Sequence, residues 1–145
     1  MREIKFRGKR VDNGEWVFGS FVPVALEGSN GDLISCGFIR RHNRGIGKME
    51  TIEVDRETVG QFTGLHDKNG KEIYEGDVLR FNGEYPMNLD SWMGRRFWEK
   101  TGYVYYDDKE SRFTCTEMGN QVSTSYWIAC SKEVIGNIYE HPELL

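Results

Sequence analysis

The feature that most constrains this chain is punctuation. Short runs of alternating apolar and polar residues are cut by turn signals before any run can complete a helix. Asn-Gly pairs stand at Asn13-Gly14 and Asn69-Gly70. That dipeptide is the strongest short hairpin signal, because both central residues of a type I′ turn need positive φ. "EIKFRG" puts Ile4 and Phe6 on one side and Lys5 and Arg7 on the other, the period of a half-buried strand. "EWVFGSFVPVAL", with Pro23 marking an edge or a break, "LISCGFIRR" and "METIEVD" read as further strands. So do "YVYYDDKESRFTCT" as a hairpin, then "VSTSYWIA" and "EVIGNIY".

About eight short strands result, which predicts an all-β fold: mainly β with one or two short helices, a small barrel or sandwich of antiparallel strands. Asp55 is placed to cap a helical turn over "RETV". Leu89, Trp92, Met93 and Phe97 recur at helical spacing in 82–102. "HNRGIGK" reads as a basic loop. The 145 residues fit one domain with a core of its own. No window approaches the roughly 20 apolar residues of a membrane helix. The basic start "MREIKFRGKR" lacks the apolar core of a signal peptide. Cys36, Cys115 and Cys130 are odd in number and lack CxxC spacing. Neither a disulfide framework nor a zinc site is indicated, and a reduced cytoplasmic setting is expected.

"TGLHDKNGKEIYEGDVLRF", Thr63 to Phe81, first suggests a calcium loop. Counted from Asp67, Asn69 fits the third ligand position. Lys71 then falls at the fifth, Glu72 where glycine belongs, and Val78 where the bidentate acid belongs. The count leaves a turn at Asn69-Gly70. Glu75 and Asp77, like Asp55 and Glu57, are two apart and would share a face in a strand, enough for a divalent ion in principle. Against that, "EGD" reads as a bend introducing a strand, and neither His66 nor Lys71 is fixed beside it. His42, His66 and His141 are the only histidines, and no serine or cysteine sits in a nucleophile elbow. "GIGK" lacks the spacing of a phosphate loop. No catalytic residue, metal, cofactor or small-molecule substrate is indicated, and the expectation is a non-enzyme.

Charge is uneven. Residues 1–10 and 40–48 together hold nine of the 19 basic side chains and one of the 23 acidic ones. Arg40, Arg41, Arg44 and Lys48 are therefore candidate nucleic-acid contacts. The plainer reading is solubility and edge protection, since a chain of net charge −4 holds polyanions poorly. "SWMGRRFWEK" offers Trp92, Met93, Arg96, Phe97 and Trp98 as an interaction segment, through stacking on bases or through a subunit contact.

"IKFRGK", "GEWVFGSFV", "TVGQFTGLHDKNGKEIYEGDVL" and "EVIGNIYEHPELL" run in order almost from end to end. On these the chain resembles the YopX-like family of phage and prophage proteins. Segments 27–50 and 82–125 match poorly, and variable insertions are expected near 27–50 and 82–102. The resemblance implies a small β-rich cytoplasmic protein of a bacterial host cell and carries over no catalytic residue. The function expected is a non-catalytic interaction module acting through protein contacts, with itself or with another phage or host protein. A nucleic-acid-binding module using 1–10 and 40–48 is the alternative.

Overall fold

A computed structural model describes residues 3–27, 30–31, 33–84, 97–117, 120–121 and 131–144; within these, the side chains of 26, 33–35, 83–84, 97–98, 117 and 120–121 are left aside. The chain is built of strands, and its one described helical element is a 3-10 turn at Pro142–Leu144. It divides into two compact units, Met1–Gly64 and Leu65–Leu145.

In the first unit, β1 (Phe6–Arg10), β2 (Trp16–Glu27) and β3 (Leu33–Asn43) are followed by β4 (Lys48–His66), which runs on past the unit's end. Successive strands pair antiparallel, and β1 also pairs with β4, so four strands close into a barrel. Alternation decides what fills it. Val17, Ile39 and Val54 are buried together, with Phe6, Phe21, Ile52 and Val59 packed around them. The seam between β1 and β4 is irregular: Arg7 lies opposite Gly60, but Lys9 lies opposite Asp55. "RETV" is the surplus, and it forms a bulge within β4 rather than a helical turn. The cap chemistry expected of Asp55 survives there. Its Oδ1 accepts from Glu57 N at 3.1 Å, while Thr58 Oγ1 donates to Asp55 O at 2.6 Å and accepts from Lys9 N at 2.9 Å.

The second unit holds β5 (Glu72–Tyr74), β6 (Asp77–Glu84), β7 (Phe97–Asp107), β8 (Arg112–Glu117), β9 (Asn120–Gln121) and β10 (Ser131–Asn137). β5 ranks after β4 in the first sheet, and the others form a second sheet in the order β10-β6-β7-β8-β9. Ile73, Leu79, Phe81, Val104 and Cys115 make its core, with Leu65, Phe113 and Val134 against it. The hairpin expected in "YVYYDDKESRFTCT" is present, with Asp107 opposite Arg112. Phe97 opens a strand and not a helix. Leu89 lies outside the described residues, as does all of "VSTSYWIA".

Both Asn-Gly pairs make turns, but not of type I′. Gly14 and Gly70 have φ of 72° and 82°, while neither asparagine has positive φ. The cause is side-chain competition. Asn13 Oδ1 accepts from Glu15 N at 3.0 Å, and Asp67 Oδ1 accepts from Asn69 N at 2.8 Å. Such local bonds hold the residue before glycine in right-handed turn geometry, leaving glycine alone to take the left-handed one. "HNRGIGK" is likewise a tight turn: Asn43 Oδ1 accepts from Gly45 N at 3.0 Å, and Asn43 O accepts from Gly47 N at 2.9 Å.

Candidate interaction surface

Three of the acidic residues in the metal and catalytic readings, Asp55, Asp67 and Asp77, accept from backbone amides. Asp77 is 1% exposed, and its Oδ2 accepts from Tyr74 N at 2.8 Å, closing the β5–β6 turn. Gly76 between Glu75 and Asp77 has φ of 79°, and the ring of Tyr139 lies 2.7 Å from where a Cβ would stand. This is the bend expected at "EGD". Asp67 accepts from Asn69 N and from Lys71 N, at 2.9 Å, through Oδ1, and from Val134 N at 3.1 Å through Oδ2. Burial would raise its pKa. The backbone donors of Lys71, Val134 and Asn69 outweigh that and hold the carboxyl below the usual range. Beside it, Lys68 holds Glu133 at 2.7 Å and lowers its pKa. Among the described residues no group of three or more His, Cys, Asp or Glu could hold a metal. His141 is half-buried, with its ring 2.9 Å from a Cβ built at Gly136.

The basic stretch 40–48 is split by strand alternation. Arg40 and His42 point out from β3 and are exposed. Arg41 points to the opposite side, where its Nε meets Glu50 Oε1 at 2.5 Å. Asn43 Nδ2 binds the other oxygen at 3.0 Å, and Asn43 and Arg41 together lower the Glu50 pKa. Arg44 sits in the tight turn and Lys48 opens β4, both exposed. Of the proposed interaction segment, Trp92, Met93 and Arg96 lie outside the described residues. Phe97 and Trp98 do so beyond their backbone positions in β7.

The barrel assembles something that sequence reading missed. Lys5, Arg7 and Lys9 leave β1 on its outer side, and β2 sets Trp16 and Phe18 next to them. The Arg7 guanidinium lies 4.6 Å from the centre of the Trp16 ring, Lys9 Nζ 5.8 Å from the same ring, and Lys5 Nζ 6.0 Å from Phe18. Arg40 continues this face on β3, where it pairs with Ser20. Alternation in "KFRGK" showed the polar side of β1. Which rings stand beside it depends on the register Lys9 to Trp16, which no local pattern reveals.

Two further features belong to this unit. A groove of about 950 Å³ opens where β3 parts from β4, lined by Lys9, Arg10 and Arg56 and by Glu53, Asp55 and Glu57. Beyond the barrel, β2 and β3 continue as a two-stranded ribbon. β1 reaches β2 only as far as Gly19, and β4 reaches β3 only from Gly37. Among the described residues no strand pairs with the outer edges of Ser20–Glu27 and Leu33–Cys36. Val22, on this ribbon, is 37% exposed. Cys36 and Cys115 are free thiols, the second fully buried; Cys130 lies outside the described residues. No described helix is long and apolar enough to cross a membrane.

A family model described as "YopX protein" matches residues 5–145. Among solved structures, the crystal structure of protein EF1440 from Enterococcus faecalis is similar over 100% of this chain and 99% of its own, at 28% identity and a TM-score of 0.50. Among functionally curated proteins none matches.

Proposed function

The chain belongs to the YopX family, and on that premise we propose that it is a non-catalytic interaction module acting through protein contacts, the first of them with a second copy of itself. The observation that carries this is the β2–β3 ribbon. A two-stranded ribbon is marginal in water by itself and gains from a third strand or an apolar cover. Here both outer edges are open among the described residues, and Val22 presents apolar surface beside them. Pro23, without an N–H, limits pairing along β2, so β3 is the edge offered. That Asp67 and Asp77 serve backbone amides supports the non-catalytic part. The free thiols of Cys36 and Cys115 support a reducing cytoplasm, and we place the protein there, in a bacterium carrying a phage or prophage.

Light scattering coupled to gel filtration tests the contact. The native chain is expected to self-associate at micromolar concentration and Val22→Glu to run as a monomer. A native chain that stays monomeric throughout refutes this reading.

A further inference from the structure

The geometry points to single-stranded nucleic acid as the ligand of the outer face of β1, β2 and the adjoining part of β3. This goes beyond self-association and stands on other residues. The outward positions include Lys5 just before β1, Arg7 and Lys9, then Trp16 and Phe18, then Arg40; of these Arg7 is buried, 7% exposed. No carboxylate stands among the outward positions of β1, Trp16–Val24 or Phe38–His42. Acid begins only on β4, with Glu53 beside Phe38 and Asp55 beside Lys9. Asp55 Oδ1 accepts from its own bulge.

Charge also follows the division of the chain. Met1–Gly64 holds ten basic and nine acidic residues, and Leu65–Leu145 holds nine and fourteen. The first unit is therefore +1 and the second −5, so the net negative charge lies outside the barrel.

The aromatic residues select the form of the ligand. Phe18 is 40% exposed, so its ring is reachable from solvent beside the lysines. A flat ring flanked by cations suits a base, whose π-face is free in a single strand and covered by its neighbours in a duplex. Arg7 on the Trp16 ring fixes one wall of the platform. Lys5, just before β1, and Lys9 stand four residues apart, about 13.6 Å along one line, with Arg7 buried between them against Trp16. The two lysines can therefore meet a backbone laid along the strand. Recognition of this kind is sequence-tolerant and salt-dependent.

The test is fluorescence anisotropy with labelled oligo(dT), oligo(U) and a DNA duplex, using the full chain. Both single strands are expected to bind more tightly than the duplex. With Lys5, Lys9 and Arg40 on phosphates, log affinity should fall against log salt with a slope of about −2, and Arg40→Ala should flatten it by about 0.7. Phe18→Ala should weaken binding about 5- to 150-fold while leaving the charge unchanged. Lys109→Glu, in the β7–β8 turn of the other unit, should change little.

Val22→Ser separates this inference from the proposed function: it removes the apolar surface without adding charge to the face, so it should weaken self-association and keep single-strand binding. No binding at low salt overturns the inference, as does binding that prefers duplex or ignores Phe18→Ala. Each of those results leaves the self-association reading standing.

Discussion

Asp67→Ala should destabilise the second unit more than any other single change in the 67–71 turn. The carboxylate is 8% exposed and accepts three backbone N–H bonds, two inside its own turn and one from Val134 in β10. A hydrogen bond to a charged group contributes about 1.5–3 kcal/mol, but the donors of Asn69 and Lys71 lie where water can replace the acceptor. A total loss of about 2–4 kcal/mol follows, or about 10–20 °C in the melting temperature of a unit of this size. Asp67→Asn should fall between, because its amide keeps one acceptor and turns a donor toward Val134 N.

The pH dependence carries the sign. The folded pKa lies below the unfolded value of about 3.9, so the stabilisation is complete at neutral pH and is lost as pH falls toward the folded pKa. The gap between native and Asp67→Asn melting should therefore narrow below about pH 4. Glu133, depressed by Lys68, titrates nearby, and Glu133→Gln supplies the control. Circular dichroism measures the melts, and hydrogen exchange at the Val134 amide reports the lost bond directly. An Asp67→Ala melt within about 2 °C of native, or a gap to Asp67→Asn that is the same at low and neutral pH, refutes the reasoning.

Three further outcomes concern the same unit. Gly76→Ala must put a Cβ 2.7 Å from the Tyr139 ring at a φ of 79°, so it should cost about 1–3 kcal/mol by denaturant titration; Tyr139→Leu should recover the steric part and leave the torsional part. Asp77→Ala should cost about 2–4 kcal/mol by leaving Tyr74 N without its buried acceptor. Manganese or magnesium should leave the native melting temperature unmoved, and a clear rise would restore Asp77 to a metal site.

The strands were legible because alternation is local. Phe6, or Ile52 and Val54, show their face without any partner, whereas Ile4, read on the same side, precedes β1 and is exposed. Turn positions were legible for the same reason, but turn types were not, since Asn13 spends its side chain on Glu15 N. "RETV" misled because the physics that caps a helix also stabilises a strand bulge, and only the register against β1 tells them apart. The surface was harder still. Arg41 reads as a free cation until Glu50 meets it across the β3–β4 pair. The rings beside Lys5, Arg7 and Lys9 are set by a turn and a register together. Pairwise arrangement is non-local information, and surface chemistry depends on it more than strand identity does.

The place of β10 in its sheet has a consequence for synthesis. It is the last strand in the chain, yet it pairs with β6, the strand that opens the sheet, and supplies Val134 N to Asp67. While the chain grows, β6 can pair with β7 on one side only. Its other edge stays open until residues 131–137 leave the ribosome. Through that interval Leu79 and Phe81 lie on an incomplete sheet, a hazard for aggregation that ends only when β10 joins it. A pause in translation before Ser131 should therefore harm folding more than one placed after Gly64, where the barrel strands have already been made.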